Sequence, residues 1–273
     1  MGAMSETPTW LPSEETREPL RRTFNSAAEL YDAARPEYPE QLFDDLVELA
    51  ALDPGARLLE IGCATGKATR PLLARGFSVV CVELGAQLAE KAHSNLAGLP
   101  VEIHVRPFET WEGEAGAFDL VYAATAWHWV DPSVRYRKAH ELLRAGGHLA
   151  FWSALHAFPE DFDPFFTAIQ EVYDTIGESY GGDWPPAPPE QAPDLTDEIE
   201  LSGLFDEVRV RRYVWERLYS ADEYIALLET FSGHISMEAD KREHLYREIR
   251  AKLGTRRLRR HWYAILHVAR SKT

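Results

Sequence analysis

Cysteine is scarce: there are two in 273 residues, with three methionines and no surplus of positive charge. Cys63 and Cys81 cannot hold a metal alone, and a reducing compartment gives them no disulfide to form, so free buried thiols are expected. Lysine and arginine number 29 against 44 acids, a net charge of -15 at pH 7. Such a chain gains nothing by releasing counterions from a phosphate backbone or an anionic bilayer, which disfavours nucleic acid and membrane as partners. Its one basic cluster, "RRLRRHW" at residues 256–262, reads as a solvated approach to a strand. No apolar run reaches the roughly 20 residues of a membrane span, and no basic-then-apolar leader opens the sequence. A cytoplasmic protein acting on a small molecule is the expectation, as a monomer or a homodimer.

What is present suffices for one sizeable core: 45% of residues are hydrophobic and 11% aromatic. Residues 1–22 are polar and proline-broken and read as a flexible arm, with Met1 to Ala3 ahead of Met4 as a cloning remnant. Order is expected from Thr23. Residues 39–51 place Leu42, Phe43, Leu46, Val47 and Leu49 on one helical stripe, with Pro39 at the first turn.

A regular alternation follows. Strands are expected at 57–61, 77–83, 101–105, 118–123 and 148–153, with helices at 66–74, 86–97 and 132–144. The strands are continuous apolar runs, as a mostly parallel sheet covered on both faces requires. Strands at 207–219 and 261–270 complete the sheet, with helices near 221–230 and 238–253 between them. The expected fold is a doubly wound, Rossmann-like α/β sheet of seven strands, mostly parallel with an antiparallel last strand. Residues 23–155 form the core and 205–273 the completion of the sheet with a helical segment. Between them, residues 156–204 carry His156, Phe158, Phe162, Phe165, Phe166, Tyr173, Tyr180 and Trp184 and the proline cluster "GGDWPPAPPEQAP". They read as a mainly helical lid or substrate insertion.

The stretch "LLEIGCATGKATRP", residues 58–71, is a strand running through glycines into a helix. Glu83 closes the next strand about twenty residues after Gly62, where an acid can take two ribose hydroxyls. A dinucleotide loop would present G-x-G-x-x-G to a pyrophosphate. Here Glu60 precedes the first glycine, repels a pyrophosphate and suits a cationic amine, so a nicotinamide dehydrogenase is disfavoured.

With those residues the sequence resembles the class I S-adenosylmethionine-dependent methyltransferases, whose first motif is E/D-x-G-x-G-x-G. It is most similar to the small-molecule type 11/12 branch that includes trans-aconitate methyltransferase-like proteins. "AELYDAARPEYPEQLFDDL" (28–46), "FDLVYAATAWHWVDP" (118–132) and "ELLRAGGHLAFW" (141–152) carry the same resemblance in the same order. It implies S-adenosylmethionine as cofactor, S-adenosylhomocysteine as product, no metal, and methyl transfer to oxygen or nitrogen of a small organic acceptor.

By that resemblance Glu60, Gly62 and Gly66 shape the amino-acid end of the pocket, with Cys63, Ala64, Leu84 and Ala124 beside them. Glu83 holds the ribose, Phe108 and Glu109 border the adenine, and Tyr31 and Arg35 close over the methionine end. His128 is the candidate base or orienting group, and Trp127, Trp129, Trp152 and His156 are candidate acceptor contacts. His234 reads as structural. Ala64 replaces the family's middle glycine, and a small side chain in ordinary loop geometry is expected there. Pro107 replaces an Asp before Phe108, which leaves Glu109 or backbone to accept from the adenine amine. Two other functions stay open: an S-adenosylmethionine-binding protein with a regulatory or non-methyl-transfer role, and an RNA methyltransferase.

Overall fold

The computed structural model describes residues 14–179, 182 and 184–273. Met1 to Ala3, Met4 and Tyr180 lie outside the described residues. The strands are β1 (Arg57–Ile61), β2 (Ser78–Glu83), β3 (Val101–Val105), β4 (Phe118–Ala124), β5 (Leu143–Trp152), β6 (Leu155–Ala157), β7 (Phe205–Tyr219) and β8 (Leu258–Ser271). The helices are α1 (Glu14–Thr23), α2 (Ala28–Ala34), α3 (Glu40–Leu49), α4 (Thr69–Ala74), α5 (Ala86–Asn95), α6 (Pro132–Leu142), α7 (Phe165–Thr175), α8 (Thr196–Leu201), α9 (Ala221–Leu228), α10 (Ser232–Ser236) and α11 (Ala239–Leu253).

β3, β2, β1, β4 and β5 run parallel in that spatial order. β8 adds antiparallel beside β5, and β7 pairs along β8 from Phe205↔Ser271 to Tyr219↔Leu258. The doubly wound sheet is as expected, but among the described residues it has eight strands rather than seven. The additional strand, β6, continues past β5 and pairs with the far part of β8, His156 opposite Trp262. Its three residues are too short to carry a period that marks a strand.

The inner parallel strands β1, β2 and β4 are largely apolar on both faces because both are covered. Leu58 packs with Leu42, Phe43 and Leu46 of α3 and Leu72 of α4. Its neighbour Leu59 points the other way, to Tyr136, Ala139 and Leu142 of α6. Each fully buried leucine of this kind contributes roughly 1.5–3 kcal/mol relative to exposure. α6 starts where Asp131 caps the Ser133 amide at 2.9 Å with Pro132 in the first turn. α9 starts on a capping box between Ser220 and Glu223.

A third core belongs to the helices beyond the parallel sheet. Phe165, Phe166 and Ile169 of α7 pack with Tyr224 and Leu228 of α9 and Leu245 and Ile249 of α11, against Tyr219 and Trp262 of the β7–β8 ribbon. The aromatics expected to form a lid over a substrate, His156, Phe158, Phe162, Phe165, Phe166, Tyr173 and Trp184, stack among themselves and on this core.

Two further expectations differ. The described part of the arm is the helix α1, not a loose segment. The basic cluster is not solvated throughout: Arg260 is 5% exposed with its guanidinium 4.3 Å from the Trp262 ring centre. Arg256 and Arg257 do reach outward, to Asp163 and Glu223 at 2.6 and 3.0 Å.

Candidate functional site

The strand order reverses between β1 and β4, and a crevice opens there at the carboxyl ends of β1, β2 and β4, the switch point where ligands bind in open α/β sheets. A cavity of about 210 Å³ occupies it. A second, about 30 Å³, shares Tyr31, Arg35, Gly62, Ala64, Ala124, Thr125 and Ala154 with the first, so the two compartments adjoin along one wall.

The turn after β1 is tightly determined. Gly62 has φ +72°, and a Cβ there would lie 2.7 Å from the Ala126 Cβ, so only glycine fits. Ala64 has φ +49°. It therefore does not sit in ordinary loop geometry but in the left-handed region, where a Cβ strains the backbone by roughly 1–2 kcal/mol. Its amide donates to Glu83 Oε2 at 2.9 Å. Gly66, φ +89°, packs toward Leu96, just past the end of α5, and borders neither compartment. With left-handed residues at 64 and 66, α4 begins only at Thr69, three residues later than the sequence pattern suggests.

Glu83, at the end of β2, is 6% exposed. Its carboxylate accepts from the amides of Ala64 and of Gly85, the latter at 2.8 Å. Burial raises its pKa, and these amides oppose that rise. Each oxygen retains a further lone pair for a ligand on the cavity side.

Glu60 lies between Cys81 of β2 and Tyr122 of β4 in the strand registers. That placement explains its contacts: Oε2 accepts from Tyr122 at 2.7 Å and from Thr69 at 2.5 Å, with the Cys81 thiol at 3.9 Å. Oε1 is buried with no hydrogen-bond partner among the described residues. Burial pushes the Glu60 pKa up to about 7, helped by the charge of Glu83 and opposed by the Thr69 and Tyr122 hydrogen bonds. Glu60 borders the smaller compartment with Cys63, Tyr38 and Lys67.

Arg35 is 8% exposed and borders both compartments. Its Nε and Nη2 donate to the hydroxyl and carbonyl of Thr230 at 2.7 and 2.6 Å. The guanidinium lies 4.1 Å from the Phe231 ring centre and 5.1 Å from that of Tyr31. Burial lowers its pKa. Thr125, φ +56°, is a second strained residue on the cavity wall. Its hydroxyl bonds Tyr38 at 2.8 Å and the Ala154 amide at 3.1 Å.

Phe108 and Glu109 follow Pro107 on a short 3-10 turn, and both line the main cavity beside Leu84 and Arg106. Glu109 is held in place by Arg21, whose Nη1 and Nη2 reach Oε1 and Oε2 at 2.7 and 3.2 Å. The Asp131 amide adds 3.1 Å to Oε1. Burial raises the Glu109 pKa, but the hydrogen bond and charge of Arg21 together with the Glu109 and Asp131 amides outweigh it, and the net shift is downward.

His128 and Trp129, on the turn after β4, also line the cavity, with ring centres 4.9 Å apart. Burial, and then the charges of Arg135 and Arg35, push the His128 pKa down to about 3. The imidazole is neutral at physiological pH and a weak base. Trp127, Trp152 and His156 line neither of these compartments, in contrast to expectation. Trp127 stacks on Phe151 at 5.1 Å, Trp152 on Tyr122 at 5.9 Å, and His156 packs on Phe158 and Phe166. For Trp152 alternation decides this: its side chain faces the α3 layer of the sheet. His234 bonds the Tyr173 hydroxyl at 3.2 Å, the structural role expected.

The structure also brings Arg21, Phe24, Leu155, Phe231 and Ser232 to the main cavity, none of which the sequence reading places there. For the first two the one available signal was the i, i+4 apolar pair Leu20 and Phe24, masked by the neighbouring Pro19.

Residues 59–151 match the family described as a methyltransferase domain. An uncharacterized methyltransferase of Mycobacterium tuberculosis is 28% identical over 242 residues, covering 88% of this chain and 89% of that protein. A structure from Anaeromyxobacter dehalogenans, described as a candidate type II methyltransferase, superposes with TM-score 0.61 at 24% identity, covering 86% of this chain and 97% of that one. Haemonchus contortus phosphoethanolamine N-methyltransferase 2, determined with S-adenosyl-L-methionine, gives TM-score 0.54 at 16% identity over 98% of this chain and 62% of its own.

Proposed function

The chain carries a methyltransferase domain at residues 59–151, and on that premise we propose that it transfers a methyl group from S-adenosylmethionine to an oxygen or nitrogen of a small organic acceptor. The observation that carries this reading is the bond from the Ala64 amide to Glu83. It ties the glycine turn to an acid placed for two ribose hydroxyls at the switch point. The residues fit the cofactor at both ends. The unpartnered Glu60 Oε1 suits an ammonium, and Arg35, whose described hydrogen bonds go to Thr230 rather than to a carboxylate, suits the neighbouring carboxylate. Phe108 and Leu84 supply apolar faces for adenine, and Gly62 admits close approach of the backbone.

When bound, S-adenosylmethionine supplies a sulfonium methyl open to in-line displacement. The protein's part is then to hold the acceptor in line and to exclude water. Glu83 and the 62–66 turn fix the nucleoside, and Tyr31 and Arg35 close the methionine end. Trp129, Leu155 and Phe231 give the cavity an apolar, aromatic surface for the acceptor. His128 acts there as a neutral orienting group, because a pKa near 3 makes it a poor proton acceptor at pH 7. The net charge of -15 supports a small acceptor over RNA.

The test is S-adenosylhomocysteine release by the full-length protein against a panel of hydroxy and amino compounds. Acceptor-dependent release supports the proposal. Tight cofactor binding with no release on any member would favour a binding or regulatory protein instead.

A further inference from the structure

Helix α1 does more than precede the fold. It packs against the turn of residues 127–129 and against α10, and two of the residues at its end line the main cavity, Arg21 and the following Phe24. Phe24 meets the rings of Trp129 and Tyr31 edge-on at 5.4 and 6.4 Å. Arg21 holds Glu109 through both carboxylate oxygens and also donates to the Trp129 carbonyl at 3.1 Å. The side chains of the pair are only 10% and 18% exposed, so solvent screens this bond less than a surface ion pair. One arginine therefore joins three parts of the pocket wall: α1, the turn after β3, and the turn after β4.

We propose that Arg21 is a positioning residue of this pocket and that α1 is its latch: the Arg21–Glu109 clamp must release for the cofactor to enter or leave. This rests on reading the cavity as an S-adenosylmethionine site. Clamped, Arg21 fixes the Glu109 carboxylate beside the adenine position and holds the Trp129 wall against Phe24. Unclamped, α1 lifts from the 127–129 turn and the adenine side opens.

The experiment is stopped-flow displacement of S-adenosylhomocysteine from the full-length protein, comparing the parent with Arg21→Ala, Glu109→Gln, the double variant and the reversal Arg21→Glu with Glu109→Arg. Arg21→Ala is expected to speed release roughly tenfold, the scale of one charged hydrogen bond, measured at a temperature where the ligand-free variant is fully folded. The double variant should release no faster than the faster single, and the reversal should slow release again. Raising salt from about 0.05 to about 0.5 M should speed release from the parent but not from Arg21→Ala. If the parent binds S-adenosylhomocysteine and Arg21→Ala releases it at the parent rate, or the two single effects simply add, the latch is refuted while the cofactor site stands. If the parent does not bind S-adenosylhomocysteine at all, the cofactor reading falls and the latch with it.

Discussion

Replacing Glu60 with glutamine separates stability from binding, and the two effects have opposite signs. Glu60 is fully buried and its pKa rises from 4.5 to about 7. The folded protein thus holds this proton more tightly than the unfolded chain does. Its contribution to stability is complete below the unfolded pKa and is lost as pH rises through about 7, above which the buried charge is a cost. The shift corresponds to about 3 kcal/mol in full, of which about 2 kcal/mol develops between roughly pH 5 and pH 8. Glutamine does not titrate, and its amide oxygen can still accept from Thr69 and Tyr122. Its NH2 would sit where Oε1 now lacks a partner, a penalty that does not vary with pH. The stability of Glu60→Gln relative to the parent should therefore climb by about 2 kcal/mol from pH 5 to pH 8, or roughly 4 °C in thermal midpoint for a chain of this size. In the same variant, affinity for S-adenosylhomocysteine at pH 8 should fall roughly tenfold, because the ammonium loses a charged acceptor. Urea or thermal melts across pH, with calorimetry at pH 8, read both. Parallel stability–pH curves for parent and variant would refute the argument that Glu60 is a strained buried acid.

Two other substitutions test the site's geometry. Ala64→Gly should stabilise the protein by roughly 1 kcal/mol, since it relieves a left-handed alanine and gives back part of the gain as unfolded-chain entropy. Denaturation midpoints of that variant and of the more strained Ala64→Val should move in opposite directions, and equal destabilisation by both would contradict the φ of +49°. For His128, turnover by the parent should show no acidic limb with an apparent pKa near 6.5, because this imidazole stays neutral down to about pH 3. A limb near 6.5 that disappears in His128→Gln would mean that the imidazole acts as a base, not as an orienting group.

The inner parallel strands were readable because they are buried on both faces, and β1 falls at the expected residues; the edge strand β3 also does, but on the alternation of Val101, Ile103 and Val105 rather than on an unbroken apolar run. The turn from Gly62 to Glu83 was readable because close backbone approach restricts residue type. Other features were hidden for physical reasons. The Ala64 conformation is imposed by the Glu83 carboxylate, nineteen positions away in sequence. Trp152 and His156 look like acceptor contacts in sequence, but strand alternation turns Trp152 into the α3 side of the sheet and the β6–β8 pairing carries His156 into the helical core. Arg21 was unreadable because its partner Glu109 lies across the fold and its helix carries an internal proline. Arg260, in a run of charges, is buried because its register on β8 places it against Tyr224, Phe231 and Trp262.

The most direct test of the central claim is calorimetric titration of the full-length protein with S-adenosylhomocysteine, with Glu83→Ala measured beside it. The account predicts micromolar binding by the parent and a loss of at least about a hundredfold in the variant, which removes both the ribose acceptor and the anchor of the Ala64 amide. Equal binding by parent and variant, or none by the parent, would contradict it.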